Sequence, residues 1–114
     1  YVIAIGGVSI YHAGDTVDFE GLADEVRAAG AEIALLPING RLPEREAQDI
    51  VGNLGPEEAA DLAAAAGCRA VLPAHYDMFA ANLGDVGRFA SYSSAAHPEL
   101  AVIIPARLVP LTLA

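Results

Sequence analysis

Three short stretches carry side chains able to do chemistry: Tyr11-His12-Ala13-Gly14-Asp15-Thr16, Asn39-Gly40-Arg41 and His75-Tyr76-Asp77. Each follows an apolar run. A carboxylate and an imidazole suit a divalent ion that does hydrolysis. An arginine suits a phosphate or a carboxylate. Gly14 lets the backbone turn sharply beside Asp15 and aim it into a cleft. The same Gly-Asp-Thr also reads as a plain turn that caps whatever follows. If the three apolar runs are neighbouring strands, the three polar sets meet along one rim of one sheet, where open α/β sheets place their sites.

The elements that must position these residues follow from turn chemistry and periodicity. Tyr1–Ile5 and Val8–Tyr11 are apolar runs joined by Gly6-Gly7, a hairpin signal. A helix is expected to open at Asp18, with Leu22, Val26 and Ala29 at helical spacing, and to end at Gly30. Residues 33–38 form a continuous apolar strand, the kind covered on both faces. Leu42 to Leu54 reads as a long polar loop, and such loops are more often functional than not. Gly55-Pro56-Glu57-Glu58 is a helix start, with proline at the first helical position and two carboxylates against the helix dipole. That helix runs to Ala66. Arg69–Ala74 is another strand, Asp85 caps a helix reaching about Ala96, and Ala101–Ile104 and Leu111–Leu113 read as final strands. The order predicts a mixed α/β layer: one sheet of about five strands with helices on one face.

Composition narrows the function classes. The 114 residues are 54% hydrophobic and 18% charged, so one folded core is expected. The net charge is −9, and all 6 basic residues are arginines scattered along the chain. That pattern argues against nucleic acid or an anionic membrane as the main partner. A lone cysteine, Cys68, forbids an internal disulfide, suits a reducing cytoplasm, and reads as a small core residue. His97, before Pro98, reads as a solvated residue at a helix end. Arg41 has acidic neighbours in Glu44 and Asp49 with which it is able to pair.

Four motifs together carry a family resemblance: Tyr-His-Ala-Gly-Asp-Thr at 11–16, Leu-Pro-Ile-Asn-Gly-Arg at 36–41, Asn-Leu-Gly-Pro-Glu-Glu-Ala at 53–59 and Pro-Ala-His-Tyr-Asp-Met-Phe at 73–79. The chain resembles the second half of a metallo-β-lactamase-fold hydrolase, nearest the group that includes L-ascorbate-6-phosphate lactonase. The resemblance implies a fold that is half of an αββα sandwich. It implies that Asp15 stands where the family's aspartate bridges two divalent metals, zinc or manganese, and that His75 stands at the final metal ligand. His12, Asn39, Arg41 and Tyr76 would then support those ligands or face the substrate.

The family's His-x-His-x-Asp-His cluster has no counterpart among the 3 histidines of this chain. The expectation is therefore a single domain spanning 1–114 that lacks the other ligand half. It would be a piece of a cytoplasmic, lactonase-like hydrolase of a phosphorylated or acidic sugar derivative. Alone it would hold metal poorly and have no catalytic residues of its own. The alternatives are half of a phosphodiesterase, or a non-catalytic association module with remnant ligands. Because the strands are apolar at nearly every position and the helices cover one face, the other face should pack on a second copy, sheet to sheet, or on the missing half.

Overall fold

A computed structural model of the chain describes residues 1–112. Its centre is a five-stranded sheet whose strands lie side by side in chain order. β1 (Val2–Ile5) and β2 (Val8–His12) are the antiparallel hairpin turned by Gly6-Gly7. Both glycines take positive φ, 56° and 82°, which a side chain would resist. From there β3 (Ile33–Pro37), β4 (Ala70–Ala74) and β5 (Ala101–Val102) each pair in parallel with the strand before. Parallel neighbours need crossovers, and helices provide them. α1 (Leu22–Ala28) links β2 to β3, α2 (Pro43–Glu46) and α3 (Pro56–Ala65) link β3 to β4, and α4 (Val86–Ala96) links β4 to β5.

Pairing register sorts the side chains. Tyr11, Ala34, Val71 and Val102 stand in one row across the sheet. They join Leu36 and Ile38 in a core with Leu22 and Val26 of α1, Leu62 of α3 and Phe89 of α4. The adjacent row, Ile3, Ile10, Ile33, Ala70 and Ala101, points to the opposite face, as do His12, Leu35 and Leu72. None of these residues belongs to the helix-side core. Ile3 is 47% and Ile5 69% exposed on that outer face. The helices thus cover one side of the sheet, as the residue pattern required.

Four boundaries differ from expectation. α1 opens at Leu22 and not at Asp18, because Gly21 at φ 94° makes a left-handed turn immediately before it. The polar stretch after β3 contains a four-residue helix, started by Pro43 at its first position. β5 ends at Val102, with one further ladder bond from Ile103 N to Val71 O before Pro105 ends donation. Leu111 and Thr112 form no strand, and Leu113 lies outside the described residues.

Side-chain links tie α3 to α4. Asp85 caps α4 by accepting from Arg88 N at 2.8 Å, and the Arg88 guanidinium pairs with Glu57. His97 is not freely solvated: its Nε2 lies 2.7 Å from Asp61 Oδ1, and the Tyr92 hydroxyl donates to the same carboxylate at 3.0 Å. Cys68 is buried, and burial pushes its thiol pKa up, which suits a core residue. Among the described residues no helix is long and apolar enough to cross a membrane.

Candidate functional site

The parallel register places the C-terminal ends of β2, β3 and β4 side by side, so the three polar sets converge. Asp15 follows β2 through a turn held by two local features. Gly14 sits at φ 68°, and its N–H donates to Nδ1 of His12 at 3.0 Å. His12 therefore acts on the site through the backbone of the Gly-Asp-Thr turn, and it does not line the cleft beside Asp15. Asn39 follows β3. His75 follows β4 with φ 57°, a left-handed conformation uncommon outside glycine. Such conformations cluster at sites where the surroundings enforce them. Here the enforced turn brings His75 Nδ1 to 3.0 Å from Asp15 Oδ1.

A residue that the sequence reading left without a role holds this cluster together. Asn53 is 6% exposed. Its side-chain amide donates to Asp15 Oδ1 at 2.9 Å and to Asn39 Oδ1 at 3.0 Å. Its side-chain oxygen accepts from Thr16 N at 2.8 Å. Its backbone N–H donates to Gly40 O at 2.9 Å. Both amide hydrogens and the carbonyl oxygen are thus engaged, which fixes the orientation of the amide. Asn53 opens the third of the four family motifs, and that position was the one signal by which it was open to discovery.

Gly52 delivers Asn53. A Cβ at Gly52 would lie 2.5 Å from Gly40 O and 2.8 Å from Arg41 Cα, both backbone atoms. Only glycine lets the segment pass so close to the Asn39–Arg41 turn. Gly52→Ala should therefore cost about 1–3 kcal/mol by overpacking, read as a lower midpoint in chemical unfolding. A midpoint within error of the parent would show that the close approach is not required.

Arg41 does not face the cleft as a free cation, and its partners are neither Glu44 nor Asp49. Its guanidinium pairs with Glu58 of α3, lies 3.9 Å from Glu46, and donates to Asn53 O at 3.2 Å. The hydrogen bond to Glu58 raises the Arg41 pKa, and the same bond holds the Glu58 carboxyl below its usual value. Glu58 also accepts from Gly55 N at 2.7 Å, one arm of a capping box at the start of α3. Arg41 thus locks the Asn39–Arg41 turn to a helix. Tyr76 likewise turns away: its ring packs against the helix-side core, and its carbonyl accepts from Gly84 N at 2.9 Å.

The cleft beside the cluster encloses about 290 Å³. Asp15, Asn39, Asn53 and His75 form its floor. Leu42, Ile50, Met78 and Phe79 contribute to its walls, and Arg45 reaches it from α2. Asp15 is 78% exposed at its side chain and His75 28%. A carboxylate and an imidazole that converge in an open cleft are the right donor types for a divalent ion. Their number falls short: among the described residues no three His, Cys, Asp or Glu side chains are grouped to hold one. A hydrolytic centre uses about three protein ligands and a water. These residues therefore fit one side of such a centre and not the whole.

The chain is similar to known proteins over most of its length. A family model described as "Beta-lactamase superfamily domain" matches residues 1–76. A UPF0173 metal-dependent hydrolase of Methanoculleus marisnigri is 38% identical over 81 residues, 71% of this chain and 32% of that protein. A second of the same name, from Methanospirillum hungatei, is 35% identical over 94 residues, 79% of this chain and 36% of that protein. The chain thus spans about a third of the length of the curated relatives it matches. Among solved structures, Igni18, a metallo hydrolase from Ignicoccus hospitalis, superposes with a TM-score of 0.70 at 25% identity, covering 91% of this chain and 40% of its own. The family model ends at Tyr76, immediately after the histidine that meets Asp15 across the sheet. On that match the chain belongs to the β-lactamase superfamily domain family.

Proposed function

We propose that this chain supplies one side of the metal centre of a metal-dependent hydrolase. Asp15 and His75 are its two metal donors. Asn53, anchored in turn on Asn39, holds the Asp15 carboxylate in place, and His12 fixes the turn that carries it. The observation that carries this reading is the meeting of His75 Nδ1 and Asp15 Oδ1 at 3.0 Å, from two strand ends, one of them in a left-handed conformation. When bound, a divalent ion such as zinc or manganese supplies Lewis acidity and activates water. The remaining ligands would come from outside these 114 residues, in keeping with relatives more than twice as long. The substrate bond is a lactone or related ester of an acidic or phosphorylated small molecule, and the setting is cytoplasmic. The 114-residue chain by itself is inactive in this reading.

Calorimetric titration with zinc and with manganese tests the donor assignment. Two donors should give a dissociation constant no tighter than about 10 µM. Asp15→Ala and His75→Ala should each abolish the heat. Zinc binding that survives both substitutions would place the metal elsewhere and end this reading. A sub-micromolar site lost in both variants would keep the donors and overturn the expectation of a half-site.

The sheet's outer face supports a further proposal. Ile3, Ile5, Ile10, Leu35 and Leu72 form an apolar surface with no helix over it. For the 114-residue chain alone, the occupant is a second copy packed sheet to sheet.

A further inference from the structure

We propose that the cleft beside Asp15 and His75 takes a small molecule with an apolar body and a single anionic group, and that Arg45 binds the anion. The proposal rests on the hydrolase reading only for where the scissile bond would lie.

The chain carries a net charge of −9, so an anion needs a local cation to approach it. Arg41, the cation nearest the site in sequence, is already neutralised by Glu58. Arg45 differs. Among the described residues no carboxylate lies within ion-pair distance of it. Among the described residues its guanidinium makes one hydrogen bond, a donation to Ala81 O at 2.8 Å. A guanidinium has five N–H donors in a planar fork, so most of this one remains available. The bond to Ala81 also joins the two walls of the cleft and sets where the fork sits.

The walls specify the body of the ligand. Leu42, Ile50, Met78 and Phe79 line the cleft, and Met78 and Phe79 are 61% and 65% exposed. Large apolar side chains turned toward a cleft and left in water favour a ligand that covers them. A hydroxyl turned toward those four side chains would lack a partner there, at a cost for each, whereas Asp15, Asn39, Asn53 and His75 line the same cleft with polar groups. An aromatic or branched aliphatic body does not incur that cost. A volume of about 290 Å³ admits a body about the size of one ring with its substituent. The substrate is therefore an ester or lactone whose compact apolar body carries one carboxylate or phosphate separate from the scissile bond.

The test needs neither metal nor turnover. The 114-residue chain is titrated with phenyl phosphate, inorganic phosphate and benzyl alcohol while amide NMR signals are followed. Phenyl phosphate should shift signals of residues 42–53 and 78–82. Inorganic phosphate and benzyl alcohol should each bind at least about tenfold more weakly. Arg45→Gln should weaken phenyl phosphate at least about tenfold without changing benzyl alcohol, and Phe79→Ala should weaken both. Asp15→Ala should not weaken phenyl phosphate, since it removes a negative charge from the cleft. If zinc binding survives both Asp15→Ala and His75→Ala while the Arg45 dependence holds, the hydrolase reading falls and the cleft assignment stands. The proposal is overturned if Arg45→Gln leaves phenyl phosphate unchanged, if inorganic phosphate binds as well, or if the shifts fall on Leu35 and Leu72 of the outer face.

Discussion

Asn53→Ala is expected to lower the stability of this chain by about 1–3 kcal/mol and to release Asp15 from its place beside His75. The substitution leaves the Thr16 N–H and the Asn39 side-chain oxygen without their partner and removes a hydrogen bond to a carboxylate. The Thr16 N–H and the Asn39 oxygen are part-buried and the Asp15 side chain is 78% exposed, so each lost bond costs about 0.5–1.5 kcal/mol. These are not independent, so the total falls below their sum. Asn53→Asp separates shape from chemistry. It keeps an oxygen for Thr16 N but sets a second carboxylate against Asp15, where a donor stood 2.9 Å away. Like charges so placed raise the pKa of the pair in the folded state. A raised folded pKa adds stability below the unfolded carboxylate value and loses it as pH rises. Asn53→Asp should thus be less stable than Asn53→Ala at pH 7 and recover relative to it near pH 4. Denaturant midpoints of both variants at the two pH values decide the matter. An Asn53→Ala midpoint equivalent to less than about 0.5 kcal/mol from the parent would show that the network is an accessory.

The second large effect is on association. Leu35→Asp should convert a dimer into a monomer at micromolar concentration, raising the dissociation constant at least about a hundredfold, which is roughly 3 kcal/mol. Leu35 is half-buried on the outer face, in the same row as His12 and Leu72, and is absent from the helix-side core. A carboxylate there would be desolvated by a second sheet with no cation opposite it. In the isolated chain it stays solvated, so folding should survive. Ile33, in the same strand and on the same face, is 0% exposed, and Ile33→Asp should unfold the protein instead. Light scattering and circular dichroism on both variants separate the two outcomes. A parent chain that is monomeric at these concentrations would sink the dimer directly. Salt should tighten the dimer modestly, since it screens repulsion between two chains of charge −9.

What the sequence determined by itself is whatever depends on a few neighbouring residues. Gly6-Gly7 dictated the β1–β2 hairpin, and Pro56 with Glu57 and Glu58 dictated the start of α3. Asp85 dictated the start of α4, where it accepts from Arg88 N. Apolar runs separated by helical stretches dictated parallel neighbours, and parallel register brings strand ends to one edge. The convergence of Asp15, Asn39 and His75 was readable for that reason. Partner choice was not, because it is made across long stretches of chain. Asn53 meets Asp15 from 38 residues away and Asn39 from 14. Arg41 had Glu44 and Asp49 near at hand, yet it pairs with Glu58, 17 residues on, because the turn after β3 packs against the start of α3. The same choice left Arg45 as the cation facing the cleft. The left-handed backbone of His75 is likewise a tertiary decision, since nothing local to Ala74-His75-Tyr76 asks for it. A short-range signal is fixed by the backbone's own geometry. Which side chain neutralises which is settled only when packing has placed every competitor at its final distance.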